Sequence, residues 1–355
     1  MNKNNFEKEI YNLSLTNLTP LHIGNGCLLH PNSKLLELKD EELSIKNTAH
    51  VSNNSPQEIS EFIHTNGKAF IPGSSVKGAI RSAYLYNWLQ MPFGKRKLIE
   101  CLQKVIEIVK HYESLPSQRQ NKRAKRQTTS KINQIFDWLI DNLCFGGEKN
   151  FSKWNNLRIS DSTIDDKNTC IYELRRYYLQ TEYHAIPTFV EALEPNQEFT
   201  LSLHYVKDQN NRFDNHIGKQ ANNSFKSPVA IKKTMNNYSL ANLEYELKVL
   251  TYEDVKNDSI SKYESFLKNL QQEIKGNTAN NVFYFRLGAG KLQYYQTIAM
   301  AVYSSKTDKK MKDAYTAFIT NFKQFKEEKL FPKTRVLTLY DQLPLGWVKC
   351  EFVNH

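Results

Sequence analysis

A chain of 355 residues carries 48 basic against 37 acidic side chains, for a formal charge of +11 and a pI near 9.2. That length supports a sizeable core, and the basic excess favours nucleic acid or an anionic surface as partner. Five scattered cysteines with no C-x-x-C pair exclude a disulfide framework, and no apolar run approaches the ~20 residues of a bilayer span, so a soluble, cytoplasmic protein is expected.

Tyr11, Leu13 and Leu15 alternate with Asn12, Ser14 and Thr16, the period of a half-buried strand. This strand runs into Thr19-Pro20-Leu21-His22-Ile23-Gly24-Asn25-Gly26, where proline and two glycines impose a turn. Gly24-x-Gly26 lacks the third glycine of a dinucleotide fingerprint. His22 is a candidate for facing a ligand or stacking on a base, though a lone histidine beside a turn is more often structural. Residues 30–66 read as a hairpin and a loop.

The next stretch is Ile71-Pro72-Gly73-Ser74-Ser75-Val76-Lys77-Gly78-Ala79-Ile80-Arg81. A Pro-Gly turn opens it, Ser74 and Ser75 are candidate N-caps, and apolar spacing predicts a helix to about Leu89. A helix starting there aims its first N–H groups into the turn, which favours an anion. Lys77 and Arg81, four residues apart, share a helix face. The pattern reads as a phosphate seat or as an ordinary capped helix with solvated cations.

Two amphipathic helices are predicted next, one through Leu98, Leu102, Val105 and Val109, the other through Ile132, Ile135, Leu139 and Leu143. The basic run 117–126 between them reads as an exposed connector. Leu157-Arg158-Ile159-Ser160-Asp161-Ser162 is a short strand ending in turn-forming residues. Arg175 and Arg176 beside Tyr177 and Tyr178 interleave cations with aromatics, a composition that suits phosphate and base together and equally suits an exposed strand. Strands are expected over 185–190 and 199–206, and an Asn-rich loop over 207–227.

Tyr263, Leu267, Leu270 and Ile274 mark another helix, closed by Gly276. A β-prone run then feeds Gly288-Ala289-Gly290-Lys291, with a helix expected from about Leu292. This is not a P-loop: Phe285 stands where the first glycine is required and Leu292 where the Ser/Thr would be. The chain closes with a helix around 311–325, a strand at 336–340, the Leu343-Pro344-Leu345-Gly346 turn and a strand at 347–353. No histidine or carboxylate spacing of the H-x-x-x-H kind is present, so neither a metal nor a cofactor is expected.

Taken in order, Leu18 to Gly24, Ile71 to Arg81, Leu157 to Ser162, Gly288 to Lys291 and Pro344 to Val348 resemble the RAMP superfamily of CRISPR-associated proteins. Within it they look most like the Csm5 family of type III-A effector subunits. The resemblance implies an α+β fold on an RRM-like, ferredoxin-type antiparallel sheet. It divides the chain into an N-terminal region, 1–205, with a helical insertion about 91–145, and a C-terminal region, 206–355, carrying the glycine loop. It further implies a non-catalytic subunit that holds the 3′ region of the crRNA, caps a filament of backbone RAMP and small subunits, and helps bring a host nuclease to trim that end. With the cation–aromatic pair Arg175 and Arg176 read from composition, the candidate RNA contacts are His22, Gly24, Gly73, Ser74, Ser75, Lys77, Arg81, Arg158, Arg175, Arg176, Gly288, Gly290 and Lys291. The alternative is a RAMP endoribonuclease cutting precursor crRNA, with His22 as base beside Lys77 or Arg81.

Overall fold

A computed structural model describes residues 7–29, 51–52, 58–145, 156–162, 169–181, 186–207, 227–251, 255, 260–279, 281–291, 298–304, 309, 312–313, 315 and 334–353. Most of the loop expected before residue 58, the Asn-rich loop, the helix start at Leu292 and most of the helix at 311–325 lie outside these residues.

The first sheet contains β1 (Glu7–Asn17), β6 (Leu157–Ile159), β9 (Glu198–Lys207), β10 (Val282–Arg286) and β12 (Trp347–Val353), in the order β10-β12-β1-β9-β6. Every pair in it is antiparallel. Alternation decides its register. Leu13 sits opposite Leu201 and Phe352, and Leu15 opposite Phe199 and Cys350, all of them buried. The four strands β12-β1-β9-β6 reproduce the order of a ferredoxin-like βαββαβ unit, and β10 is added beyond β12 as a further edge. Strands from both sides of residue 205 therefore pair directly within one sheet.

The second sheet is ordered β11-β7-β8-β3-β2, from β2 (Gly24–Leu29), β3 (Ile59–Phe62), β7 (Thr169–Tyr178), β8 (Thr188–Leu193) and β11 (Thr334–Thr338). Only β3 and β8 run parallel. A small hairpin, β4 (His64–Thr65) with β5 (Lys68–Ala69), turns at Asn66-Gly67, both at positive φ.

Helix α1 (Gly73–Gln90) buries Val76, Ile80, Ala83 and Tyr84. Next come α2 (Pro92–Glu113), α3 (Lys122–Asp137) and a π-helical segment, Trp138–Cys144, over the stretch expected as a helical insertion. The third helix begins earlier than its apolar spacing indicates. Asn121 caps it, accepting from the Ala124 N–H at 2.9 Å, so the basic residues from Lys122 onward are helical rather than a connector.

The sequence pattern does not reveal α4 (Pro228–Leu250), which follows a Ser227 cap and buries Thr234, Asn236, Ser239, Asn242 and Glu246. These polar residues serve the open edge of β10. The Tyr284 N–H donates to Asn236 Oδ1 at 2.9 Å, and Ser239 Oγ donates to the Tyr284 carbonyl at 2.6 Å. The helix thus satisfies backbone groups that a further strand would otherwise take. Helices α5 (Ser261–Gly276) and α6 (Ala299–Ser304) complete the described set. All five cysteines are free thiols, with Cys27 exposed and the others buried. Among the described residues no helix is long and apolar enough to cross a membrane.

Candidate nucleic-acid interface

Three separate sequence islands meet where β1 ends. The Gly346 N–H donates to the Pro20 carbonyl at 2.8 Å, and the Leu287 N–H donates to the Gly346 carbonyl at 2.7 Å. The Ala289 N–H reaches the His22 carbonyl at 2.8 Å, and the Trp347 N–H reaches Thr19 Oγ1 at 2.9 Å. Such close backbone approach leaves no room for a Cβ. One placed on Gly288, at φ +67, would lie 2.0 Å from the His22 carbonyl oxygen, and one on Gly346, at φ +82, would lie 2.0 Å from that of Leu287. The glycine loop is held by its own chain at Gly288, while Gly290 (φ +75) rests on Leu345 and stays partly exposed.

His22 points into this junction. It is 4 % exposed, its Nδ1–H donates to the Glu191 carbonyl at 2.6 Å, and its ring meets Phe62 edge-on. Burial lowers its pKa, outweighing the pull of Glu191, so the ring is neutral at physiological pH. No open face is left for a base to stack on, which corrects the expectation of a ligand-facing histidine. Gly24 beside it is exposed, close to His22 Nε2.

The start of α1 also differs from a vacant anion seat. Pro72 is the cap residue, no serine side chain caps, and the Gly73 N–H donates to Asp161 Oδ1 at 2.7 Å. The Ile71 N–H donates to Ser162 Oγ at 2.9 Å, and the Ser162 N–H returns to the Ile71 carbonyl at 3.0 Å. The Asp161-Ser162 pair just past β6 is therefore the local partner of the helix start, where a carboxylate suits the dipole. Gly73 is required by contact: a Cβ there would sit 2.2 Å from the Ile159 carbonyl oxygen. Ser74 remains exposed and Ser75 half-buried.

The two cations of α1 have different neighbours. Arg81 pairs with Asp141 at 2.6 Å and lies 4.7 Å over the Phe145 ring. Lys77, half-buried, faces Arg158 on β6, whose side chain is exposed. Burial first, and then the Arg158 charge, hold the Lys77 ammonium below its usual range. Two neighbouring like charges at a partly desolvated surface favour an incoming anion.

Lys291 reaches the same helix from the other side. It shares a small pocket with Ala79 and Ser82 of α1, Tyr238 and Ser239 of α4, and Phe285 and Arg286. Burial, then Arg286, push its pKa down to about 8. Arg286 is buried and committed to the fold. Its Nε donates to the Leu345 carbonyl at 2.9 Å, its Nη2 to the Gly290 carbonyl at 3.0 Å, and its Nη1 lies 3.7 Å from Glu246.

A basic surface built on a βαββαβ sheet, a Gly-Ser-Ser helix start and a glycine loop has a match among known families, over residues 14–292. The chain belongs to the RAMP superfamily. It is 23% identical over 327 residues to the CRISPR system Cms protein Csm5 of Methanocaldococcus jannaschii, covering 86% of this chain and 68% of that relative. Two solved structures share the fold. One is a chain in the cryo-EM structure of a Csm-crRNA-target RNA ternary complex of a type III-A CRISPR-Cas system. It is 21% identical with a TM-score of 0.60, covering 97% of this chain and 100% of that one. The other is the crystal structure of T. onnurineus Csm5, 19% identical with a TM-score of 0.52, covering 94% and 99%.

In this RAMP, Arg175 and Arg176 lie on β7 of the second sheet, apart from the sheet that carries Arg158. Arg175 is drawn back to buried Glu173 at 2.8 Å, whose other oxygen accepts from Ser52. Arg176 is exposed while Tyr177 is buried, so the interleaved pattern is strand alternation. Lys77 and Arg81 on α1, with Arg158 and Lys291 beside it, are the sequence-marked cations that the RAMP fold gathers there. Sequence reasoning missed Asp161 as the partner of Gly73. Its position just past a short strand, in a turn-forming triplet, was the available signal.

Proposed function

We propose that this RAMP is the crRNA-binding subunit of a type III-A CRISPR effector complex. It caps the filament of backbone and small subunits at the crRNA 3′ end, in the cytoplasm, and supports trimming of that end by a recruited nuclease. The observation that carries the reading is Lys77 beside Arg158 at the edge of the first sheet, with Lys291 entering the opposite flank of α1. Side-chain cations and exposed Ser74 would grip phosphates without reading bases, as a subunit serving every guide sequence must. Gly73 and Ser75 open the helix that carries Lys77, and Arg81 follows it four residues on along the same helix face. The likeness to Csm5 of M. jannaschii and to a chain of the Csm-crRNA-target RNA complex supports the assignment.

The subunit acts by holding RNA rather than cutting it. His22, the base that cleavage would need, donates its Nδ1–H to a backbone carbonyl inside the fold. Purification from cells with neighbouring subunits, followed by sequencing of the bound RNA, tests the reading. Repeat-derived guides with ragged 3′ ends are expected, and the double variant Lys77→Glu, Arg158→Glu should deplete them. Undiminished recovery by that variant would refute it.

A further inference from the structure

The insertion carries eleven basic side chains against five acidic between residues 91 and 145, more than half of the net charge of the whole chain. Five of them lie on α2, where Arg96, Lys97 and Lys104 stand opposite the buried Leu98, Leu102 and Val105. Arg96 and Lys97 follow Phe93 by three and four residues and Lys104 follows Lys97 by seven, so the four share one side of the helix. Two large aromatics stand open on this face, Phe93 at 36% exposure and Trp138 at 42%.

Both aromatics are flanked by cations. The Arg96 guanidinium lies 5.5 Å from the Phe93 ring centre and Lys97 Nζ lies 6.0 Å from it. Lys104 Nζ lies 5.8 Å from the Trp138 ring centre. The interposed carboxylates are Glu100, which pairs with Lys97 at 2.7 Å, and exposed Glu107. Trp138 opens the π-helical segment, a geometry that recurs at functional sites. That segment also holds Asp141, the partner of Arg81, and ends against Phe145 beneath the same guanidinium. The segment thus joins the aromatic face to α1 through the Arg81–Asp141 pair.

Resting on the proposed function, we infer that the insertion is a track for single-stranded RNA. It would take the segment leaving the Lys77–Arg158 patch across Trp138 and Lys104 to Phe93 and Arg96. Charge complementarity selects a polyanion, and exposed aromatic faces with adjacent cations select unpaired bases over a duplex. From Phe93 to Lys104 the helix rises about 16 Å, room for a few nucleotides.

The test uses the full chain and single-stranded RNA of two lengths, about eight and about thirty nucleotides, with photo-crosslinking from thiouridine. Wild-type chain should crosslink at the Phe93 and Trp138 peptides with the longer RNA. The triple variant Phe93→Ala, Lys104→Ala, Trp138→Ala should lose about tenfold in affinity for the longer RNA and leave the shorter unchanged. All three side chains are partly or largely exposed, and a matching melting temperature verifies the fold. Lys77→Glu with Arg158→Glu should weaken both lengths, which separates the track from the primary patch. Unchanged long-RNA affinity in the triple variant overturns the track while leaving the proposed function standing. Loss of an acidic protein partner with RNA binding intact overturns it in favour of protein docking. Failure of the wild-type chain to bind either length overturns both readings.

Discussion

Replacing Gly73 by alanine tests whether the start of α1 is closed by its own chain. The added Cβ would lie 2.2 Å from the Ile159 carbonyl oxygen and 2.5 Å from that of Ser160, so β6 and the helix must separate by about 1 Å to restore ordinary contact. Separation strains the Gly73–Asp161 bond at 2.7 Å, a charge-assisted interaction contributing ~1.5–3 kcal/mol, and the paired Ile71–Ser162 bonds, at ~1 kcal/mol each. The expected loss is ~3–5 kcal/mol. At ~2.1 cal/mol/K per residue, 355 residues melt with an entropy of ~0.7 kcal/mol/K, so the midpoint should fall by ~4–7 °C. Gly78→Ala in the same helix is the control. Nothing lies within 4 Å of its Cβ position, so helix propensity alone acts and should raise the midpoint by about 1 °C. Circular dichroism melts of the two variants decide the matter. Shifts of the same sign and size would mean that the turn is open and the close packing is wrong.

Three other outcomes follow from the geometry. Lys291 is held at about 8 in the fold against 10.5 ordinarily, so the folded state carries a penalty that is full below pH 8 and gone above 10.5; Lys291→Met should therefore stabilise at pH 7, with the advantage vanishing in melts near pH 10.5. His22→Ala removes a buried ring and its bond to Glu191, and should lower the midpoint by ~3–6 °C while changing RNA affinity less than twofold in a filter-binding titration. Asn236→Ala leaves the Tyr284 N–H without its acceptor at a cost of ~1–3 kcal/mol, readable as faster hydrogen exchange along β10.

Much of this architecture is legible in the chain because local pattern and tertiary role agree. Tyr263, Leu267, Leu270 and Ile274 recur at helical spacing and are all buried on α5, and Leu13 and Leu15 alternate inward on β1. Helix α4 escapes the same reading because its inward face spends Asn236 and Ser239 on the edge of β10, a partner almost fifty residues away. Nor does any local signal place β12 between β10 and β1, since that pairing is a matter of sheet closure alone.

The site divides in the same way. The residue types at Lys77, Arg158 and Lys291 mark cation chemistry one by one, yet only folding sets Lys77 against Arg158 and Lys291 behind α1. The helix start resembles an anion seat until Asp161, eighty-eight positions on, is seen to accept from Gly73. His22 carries the chemistry of a base, and burial assigns it to the junction instead.

The salt dependence of RNA binding reports most directly on whether Lys77 and Arg158 hold phosphates. Each contact to a single strand contributes about 0.7 to the slope of log K against log salt concentration. Titrations of Lys77→Ala with Arg158→Ala across a range of salt should show weaker binding and a slope shallower by about 1.4 than wild type. An unchanged slope with unchanged affinity would contradict the account and return both side chains to the solvated surface.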